Sequence, residues 1–331
     1  MISTKGISVV IPNYNGILLL PLILPPLFAA LNNTQLSYEV IISDDFSSDN
    51  SVGLLKSQFP HIILLQNKSN NGFSPTINKG IFIAKYDYIL LLNSDVKLTT
   101  DYFKNLLPYF DDKDTFGVMG RIIGWDDNTI QDGGKYPSFH GVKIKTSGNY
   151  IPVESKDGDK LYSMYLSGAN ALVSREKIQM LGGFDEIFAP FYVEDFELSL
   201  RAWRMGWTCY YEHNAICRHR TSTTIKSNSN KNFVKGIYYR NKMFLHAIHL
   251  QGFKLFLWHL QLIPESVLHI ATGRRWFFYS LKMFFSSLKN IRLSKINFIK
   301  LKGAERDFLS VNEVVIKIKT SLDKFKTISI K

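Results

Sequence analysis

The chain has 331 residues, 45% of them hydrophobic, which is enough to bury one substantial core and still carry an appendage. Cys209 and Cys217 are its two cysteines, and they form no C-x-x-C pair and no Cys/His set at zinc spacing. Neither a disulfide framework nor a structural zinc is therefore indicated, and a reducing cytoplasm fits best. The net charge of +12 comes from the last third, because residues 233–331 hold 18 Lys/Arg against 5 Asp/Glu.

Residues 17–31 form an apolar run near the N-terminus. The run contains Pro21, Pro25 and Pro26, and it follows a polar turn rather than a basic leader. It is also shorter than the roughly 18 to 20 residues that a membrane span needs. We therefore expect a core helix here rather than a signal peptide or a membrane-spanning segment.

The first 100 residues alternate strand and helix signals, which is typical of an α/β domain with a mostly parallel sheet. The predicted strands are residues 7–12, 38–43, 61–65 and 88–92, and each ends in polar or acidic residues. In open α/β sheets, ligands bind beyond the carboxyl ends of the strands. The loops at residues 13–15, 44–45, 67–72 and 93–95 are therefore expected to converge on one crevice.

The segments after residue 120 differ from the first 100 residues in composition and in hydrophobic periodicity. Residues 121–159 are rich in Gly, Asp and Lys and have little periodicity, so we expect a long, partly mobile segment. A strand is expected at 167–173 and an amphipathic helix at 194–205. Long helices rich in aromatic and basic residues are expected from about residue 225, so the predicted domains are 1–224 and 225–331.

Two acidic clusters point to an enzyme. Asp95 follows an apolar strand, and Glu194 and Asp195 follow an aromatic stretch. Carboxylates at the rim of a packed core can bind a cation or take a proton. The plainer alternatives are a helix cap for Asp95 and, for the second cluster, a charged first turn whose glutamates pair with Arg201 or Arg204.

The C-terminal third combines basic and aromatic residues. Its aromatic residues include Phe253, Phe256, Trp258, Trp276, Phe277, Phe278, Tyr279, Phe284 and Phe285. Helices of this composition are typical of segments that lie on an anionic membrane surface. A helical bundle or a homodimer interface is the alternative. No nucleic-acid partner is expected, because the charge is confined to this aromatic region and no recognition motif is visible.

Seven short motifs follow one another along residues 6–245. They are Val9-Val10-Ile11-Pro12-Asn13-Tyr14-Asn15, Ser43-Asp44-Asp45-Phe46-Ser47-Ser48-Asp49, Asn71-Gly72-Phe73 with Asn78-Lys79-Gly80, Leu92-Asn93-Ser94-Asp95, Gly182-Gly183-Phe184-Asp185-Glu186, Glu194-Asp195-Phe196-Glu197-Leu198 and Tyr239-Arg240-Asn241. Together and in this order they resemble the family 2 glycosyltransferases, in particular the bacterial rhamnosyltransferase-like branch that builds surface polysaccharides. The resemblance implies a GT-A domain, which is a Rossmann-like α/β fold with a mostly parallel central sheet, followed by a C-terminal helical extension.

The resemblance also implies roles for individual residues. The donor-binding residues would be Pro12, Asn13, Asn15, Asp44, Asn71, Gly72, Asn78, Asn93 and Asp95, with Asp45 in support. Asp44, or alternatively Asp45, would hydrogen-bond the pyrimidine base of the nucleotide. Asp95 would bind a divalent cation, Mg²⁺ or Mn²⁺, with His219 as a further ligand, and Asp195 would be the general base, supported by Glu194.

These residue types suit glycosyl transfer. A hard divalent cation prefers oxygen ligands and neutralises the diphosphate charge that grows as the glycosidic C–O bond breaks. An inverting transfer needs one carboxylate to take the proton of the incoming hydroxyl. Asn93 stands where the family's D-x-D motif has its first Asp, so the cation would rest on Asp95, His219 and phosphate oxygens. No Q-x-x-R-W motif of processive synthases is present, which favours one sugar per encounter.

The sequence therefore predicts an inverting, metal-dependent glycosyltransferase. It would move a sugar from a nucleoside-diphosphate donor to a hydroxyl of a lipid-linked surface-polysaccharide glycan, on the cytoplasmic face of the cell membrane. Residues 121–159 would border the acceptor side and order on donor binding. A sugar-nucleotide nucleotidylyltransferase shares the sheet, but the Gly-rich, basic signature expected after its first strand is missing.

Overall fold

The computed structural model describes residues 5–156, 158–220, 230–301 and 308–330. The described strands are β1 (Gly6–Asn13), β2 (Ser37–Asp44), β3 (Ile63–Gln66), β4 (Tyr88–Leu92), β5 (Val96–Leu98), β6 (Thr115–Gly124), β7 (Ile130–Asp132), β8 (Gly134–His140), β9 (Lys143–Pro152), β10 (Leu161–Tyr162), β11 (Asn170–Ser174), β12 (Thr208–His219) and β13 (Thr327–Ile330). The described α-helices are α1 (Leu20–Asn33), α2 (Ser51–Gln58), α3 (Phe73–Ile83), α4 (Arg175–Met180), α5 (Glu194–Arg204), α6 (Lys231–His249), α7 (Gly252–Ala271), α8 (Arg275–Ser286), α9 (Leu288–Lys300) and α10 (Val311–Leu322).

A large central sheet positions the site. Its strands lie in the spatial order β10-β12-β6-β11-β4-β1-β2-β3. The half formed by β4, β1, β2 and β3 is parallel, and its register sets Asn13 beside Asp44. β11 pairs antiparallel with β4 and β6, and β5 pairs antiparallel with β12. The fold is therefore α/β with a parallel half-sheet, and the polar loops after β1, β2 and β4 leave the sheet at the same edge.

The apolar run near the N-terminus forms helix α1, as predicted. A proline stands in its first turn, where no intrahelical hydrogen bond is lost, and the helix continues through Pro25 and Pro26. Its buried residues pack against one face of the sheet. The strands and the helix predicted over residues 7–205 are found to within three residues at each end.

The prediction that residues 121–159 lack regular structure is wrong for the described part of this segment. This segment holds the end of β6 and all of β7, β8 and β9. β8 and β9 form an antiparallel hairpin, and β13, from the end of the chain, pairs with the other edge of β9. The hairpin is therefore fixed within a three-stranded sheet.

The C-terminal helices share a core with the α/β part. Trp203 of α5, Phe244 of α6, Trp258 of α7, Phe284 of α8 and Val314 of α10 belong to one buried cluster. The predicted boundary at residues 224 and 225 lies outside the described residues, so the division into two domains stays a prediction. None of the described helices combines the length and the apolar character needed to cross a membrane.

Candidate active site

The loops that follow β1, β2 and β4 surround one cavity of about 540 Å³, together with the segment before α5. Its lining residues are Pro12, Asn13, Tyr14, Asp45, Asn70, Gly72, Phe73, Thr76, Asn93, Ser94, Asp95, Ser167, Gly168, Ala169, Pro190, Phe191, Tyr192, Glu194 and Asp195. Eight of them are residues that the sequence assigns to the site: Pro12, Asn13, Asp45, Gly72, Asn93, Asp95, Glu194 and Asp195. The predicted crevice at the carboxyl ends of the strands is therefore present.

Asp44 and Asn15 organise the first loop without lining this cavity. Asp44 Oδ1 accepts hydrogen bonds from Asn13 Nδ2 at 2.8 Å and from Ser47 Oγ at 2.5 Å. Asn15 Oδ1 accepts from the backbone N–H of Ser48 at 2.8 Å. The amide oxygen of Asn15 therefore closes the loop, and a contact between Asn15 and the donor stays a prediction. A contact between Asp44 and the base stays a prediction.

Asp45 lines the cavity and also shapes its rim. Its Oδ1 accepts from Asn67 Nδ2 at 2.6 Å and from the backbone N–H of Asn71 at 2.8 Å, and its Oδ2 accepts from Gly72 N at 2.9 Å. Gly72 has a φ of 85°, and a Cβ there would lie 2.6 Å from Pro190 Cα, so only glycine fits. Asn71 contributes its backbone here, and its side chain does not line the cavity.

Asn78 is not among the lining residues of this cavity, and its part in donor binding stays a prediction. Its Oδ1 accepts from Phe184 N at 2.9 Å, and its Nδ2 donates to Phe184 O at 2.9 Å and to Glu186 Oε1 at 3.0 Å. The amide thereby ties α3 to the Gly-Gly-Phe-Asp-Glu loop. Its role in this structure is to hold two of the motifs together.

Asp95, which lines the cavity, lies next to His219, which is not among the lining residues. Antiparallel pairing of β5 with β12 sets His219 opposite Val96, and His219 Nε2 lies 3.5 Å from Asp95 Oδ2. The other ring nitrogen, Nδ1, lies 2.8 Å from the Gln131 side-chain oxygen, to which it donates. A neutral imidazole with its proton on Nδ1 presents an Nε2 lone pair beside the carboxylate, an arrangement that suits a cation.

Glu194 and Asp195 form the first turn of α5 and face the same cavity. Burial raises the pKa of Asp195 to about 6. Burial, together with the nearby charge of Asp195, raises the pKa of Glu194 to about 8. Asp195 Oδ1 accepts from the backbone N–H of Phe196 at 2.7 Å. Near neutral pH the pair can therefore supply one carboxylate and one protonated carboxyl group.

The backbone that delivers this pair to the cavity is strained. Tyr192 and Val193 have φ values of 75° and 74°, in the left-handed region that a β-branched residue rarely adopts. The side-chain nitrogen of Asn241 on α6 lies 2.7 Å from Phe188 O, 3.0 Å from Phe191 O and 2.7 Å from Tyr192 O. One amide of the last motif therefore holds the loop that precedes Asp195.

Glu197 is structural, as the plainer alternative anticipates. Its carboxylate accepts from Arg201 Nε at 2.9 Å, and the guanidinium also donates to Leu181 O at 2.6 Å and Gly183 O at 2.9 Å. The Nε2 of His249 lies 3.2 Å from Glu197 Oε1. This buried network fixes α5 against the Gly-Gly turn and against α6.

Three buried oxygens on cavity residues have no hydrogen-bond partner among the residues that the structure describes. They are Asn13 Oδ1, Asp95 Oδ1 and Glu194 Oε2. A buried polar atom without a partner is costly unless a ligand or cation satisfies it. Asp95 and the neighbouring His219 are residue types that bind divalent cations, but within the described part of the chain no cluster of three or more His, Cys, Asp or Glu side chains is available to hold one. Phosphate oxygens would have to complete such a site.

Several lining residues are not among the site residues predicted from the sequence, above all Tyr14, Thr76, Phe191 and the run 167–169. The run Ser167-Gly168-Ala169 carries a signal, because three small residues precede a strand. A Cβ on Gly168 would come 3.2 Å from the ring of Phe73, so the small side chains keep this wall open.

Comparisons with known proteins identify the family of this chain. The model of the family described as "Glycosyl transferase family 2" matches residues 8–182, more than half of the chain. The chain is 23% identical over 219 residues to an N-acetylglucosaminyl-diphospho-decaprenol L-rhamnosyltransferase of Mycobacterium tuberculosis, and the match covers 58% of this chain and 69% of that protein. It is 24% identical over 233 residues to a chondroitin synthase of Escherichia coli, and covers 62% of this chain and only 33% of the synthase.

Solved structures show the same fold. GalNAc-T7, crystallised with UDP, GalNAc and Mn²⁺, superposes with a TM-score of 0.61 at 16% identity; the match covers 89% of this chain and 58% of that one. The mannosyltransferase PcManGT from Pyrobaculum calidifontis, in complex with GDP-Man and Mn²⁺, superposes with a TM-score of 0.53 at 14% identity. The match covers 96% of this chain and 88% of the PcManGT chain. The motifs, the cavity and the family match lead to one conclusion: this chain is a glycosyltransferase and belongs to family 2.

Proposed function

We propose that the chain is an inverting, metal-dependent transferase that moves a sugar from a nucleoside-diphosphate donor to a hydroxyl of a lipid-linked surface-polysaccharide glycan. One observation carries this proposal. Asp95 and Asp195, which come from motifs a hundred residues apart, line one cavity, and three buried oxygens there have no hydrogen-bond partner in the described part of the chain. Such a cavity suits a ligand that brings a cation and several hydroxyl groups.

Asp95 and His219 are the residues that would hold the cation, Mg²⁺ or Mn²⁺. When bound, the cation would neutralise the diphosphate charge that grows as the glycosidic bond breaks. Asn13 and Asp45 would contact the nucleoside, and Asp44 would hold the side chain of Asn13 by accepting a hydrogen bond from its amide nitrogen. The structures of GalNAc-T7 and PcManGT, which contain UDP and GDP-Man with Mn²⁺, support this arrangement.

Asp195 would act as the general base. Its pKa of about 6 leaves it ionised at neutral pH, yet higher than that of an ordinary aspartate, so it can take the proton of the incoming hydroxyl. Glu194, with a pKa of about 8, would remain protonated and donate a hydrogen bond rather than compete as a second base. A single ionised carboxylate opposite the leaving group is what a direct, inverting displacement requires.

The acceptor would reach the site from a membrane. Helix α7 has a stripe of exposed apolar residues at alternating spacings of three and four: Phe253, Phe256, Leu260, Ile263, Val267 and Ile270. On its opposite face, Trp258 and Leu262 are buried in the core. An apolar stripe within a basic region favours peripheral binding to an anionic cytoplasmic membrane surface. The matched mycobacterial rhamnosyltransferase is named for a diphospho-decaprenol acceptor, which supports this view.

The test is donor turnover. The purified protein is incubated with Mn²⁺ or Mg²⁺ and, in turn, dTDP-rhamnose, UDP-glucose, UDP-galactose and UDP-N-acetylglucosamine, and released nucleoside diphosphate is measured. We expect release from one donor that stops with chelator and in Asp95→Ala. Release that persists in chelator would contradict the metal requirement. The anomeric configuration of the product, read by NMR, tests inversion separately.

A further inference from the structure

Two further cavities continue from the candidate active site toward α7. The first, about 240 Å³, shares Tyr192, Glu194 and Asp195 with the donor cavity. The second, about 440 Å³, shares Lys145 and Lys242 with the first. The two lysines therefore stand at the junction of a path that leads away from the proposed base.

Lys145 of β9 and Lys242 of α6 are half-buried cations with no carboxylate partner among the described residues. Lys242 Nζ lies over the ring of Tyr238, 4.7 Å from its centre. By contrast, the neighbouring Lys143 pairs with Glu265. Glu194 and Asp195 also line the 240 Å³ cavity, but among the described residues neither carboxylate forms an ion pair with these lysines. Partly desolvated ammonium groups that face a cavity and have no ion-pair partner are suited to bind an anion.

Beyond the lysines the path has an apolar wall. Met243, Trp258, Leu262, Leu268 and Phe277 form this wall of the 440 Å³ cavity, and the Lys143–Glu265 ion pair and His140, His246 and His269 also line it. Leu268 is 59% exposed, so this cavity reaches the surface next to the exposed apolar stripe of α7. The chemistry along the path is therefore a carboxylate, then two cations, then a channel with an apolar wall.

We propose that Lys145 and Lys242 bind the diphosphate of an acceptor in which a sugar is joined through diphosphate to an isoprenoid chain. The sugar hydroxyl would lie at Asp195, the diphosphate at the two lysines, and the chain along Trp258 and Leu262 toward the membrane. This inference rests on the proposed function and deepens it, since it names the acceptor class of the same site. The order of the three chemical zones matches the order of the three parts of such a molecule.

The test uses farnesyl diphosphate as the probe, with binding measured by calorimetry in the presence of chelator. We expect it to bind more tightly than farnesol and than inorganic pyrophosphate, because it alone carries both the anion and the apolar chain. Lys145→Gln and Lys242→Gln should each weaken its binding about tenfold or more. Lys289→Gln, an exposed lysine on α9, is the matched control and should leave binding unchanged.

Three results would overturn the inference. Equal binding of the probe by the wild type and by folded Lys145→Gln and Lys242→Gln variants would remove the lysines from the site. Loss of probe binding in Asp95→Ala would mean that the diphosphate occupies the donor cavity. Loss of binding to phosphatidylglycerol vesicles in the lysine variants, with no effect on farnesyl diphosphate, would assign the lysines to bulk lipid headgroups. Unchanged melting temperatures identify the folded variants, and conservative Lys→Arg changes should restore binding.

Donor turnover separates the two proposals. Suppose that a donor is hydrolysed normally by the wild type and by the lysine variants, and that farnesyl diphosphate binds all of them equally well. The acceptor subsite is then wrong and the proposed function stands. If farnesyl diphosphate binds through the lysines but no nucleoside-diphosphate sugar is turned over, the lysines bind a diphosphate, and both the proposed function and the assignment of this site to a glycosyl acceptor are contradicted.

Discussion

The carboxylate of Asp195 should affect the rate of sugar transfer but not the affinity for the donor. Asp195→Asn keeps the shape of the side chain and removes the base, so we expect kcat to fall about 10²- to 10⁴-fold with little change in donor KM. Steady-state kinetics with the identified donor and acceptor measure both constants. Glu154→Gln, at an exposed glutamate, is the control. A fall confined to donor affinity would contradict the assignment.

The raised pKa of Asp195 gives this enzyme a characteristic pH dependence. The base must be ionised, so kcat/KM should rise as pH increases through about 6 rather than through the ordinary aspartate range. A pH profile measured between about pH 5 and 8 tests this expectation. An acid limb near the ordinary pKa of aspartate would mean that Asp195 is not the titrating base.

Glu194 should carry a pH-dependent cost in stability. Its pKa is 4.5 in a model peptide and about 8 in the folded chain, so the folded state binds its proton more tightly. The free energy of unfolding therefore falls as pH rises between those values, because the unfolded chain releases this proton readily while the folded chain retains it. Glu194→Gln cannot ionise, so its melting temperature should gain on the wild type by a few degrees between about pH 5 and 8. A constant difference across that range would show that Glu194 does not titrate there.

Some site residues could be identified from the sequence and others could not, for a physical reason. The motifs established which loops converge, and Asp95 and Asp195 do face one cavity. They did not establish which short polar side chain of a loop turns inward. Asn15 and Asn78 instead hydrogen-bond nearby or facing backbone, which is a common use of such side chains in loops.

At the scale of elements, α5 depends on a helix that is distant in sequence. The left-handed backbone at Tyr192 and Val193 precedes the catalytic turn, and Asn241 on α6 binds three of the carbonyls around it. No sequence pattern near residues 188–193 predicts this contact with Asn241. The conformation is determined by tertiary hydrogen bonds rather than by the preferences of Tyr and Val, so it could not be predicted from the segment itself.

Asn241→Ala should therefore impair the chemistry more than donor binding. Removing the amide leaves buried carbonyls without a donor, which costs about 1–3 kcal/mol and frees the loop to relax. We expect kcat to fall about tenfold or more while the donor KM and the chelator sensitivity remain, since Asp95 is untouched. Asn232→Ala, at an exposed asparagine of the same helix, is the matched control. If Asn241→Ala lowers stability but not kcat, the amide is structural only.

The hairpin of β8 and β9 shows where element prediction failed. Its strands contain Gly, Lys and Thr with only partial burial, so they lack the apolar alternation that identifies a strand. They are completed by β13, which begins at Thr327 and pairs with Pro152. Pairing over such a sequence distance leaves no local signature, whereas β1, β2 and β4 are buried runs that are recognisable by themselves.

At the scale of the whole molecule, the helices after residue 230 connect the catalytic core to its surroundings. Their inner faces share one buried cluster with α5, and the outer face of α7 exposes the apolar stripe. Ordinary monomer surfaces seldom expose a contiguous apolar stripe of this length. The two explanations are a membrane surface, which we propose, and a second copy of the chain.

The membrane explanation predicts a specific loss. Replacing Phe253, Phe256 and Ile263 by Ser removes three exposed apolar side chains from α7, where Phe253 is 72% exposed. Each buried apolar side chain contributes about 1.5–3 kcal/mol on full transfer from water, so even partial insertion implies at least a tenfold loss of vesicle binding. Binding of the wild type should also weaken with salt and favour phosphatidylglycerol over phosphatidylcholine, because basic residues accompany the stripe.

Cosedimentation with vesicles measures this loss, and the triple change Leu18→Ser, Phe82→Ser and Ile83→Ser is the matched control, since these residues are exposed on other helices and loops. The control should bind vesicles like the wild type. Sedimentation velocity in solution distinguishes the alternative. If the wild type is a dimer that the α7 triple variant converts to monomer, while neither protein binds vesicles, the stripe is a subunit interface, and the acceptor must reach Asp195 from solution rather than along α7.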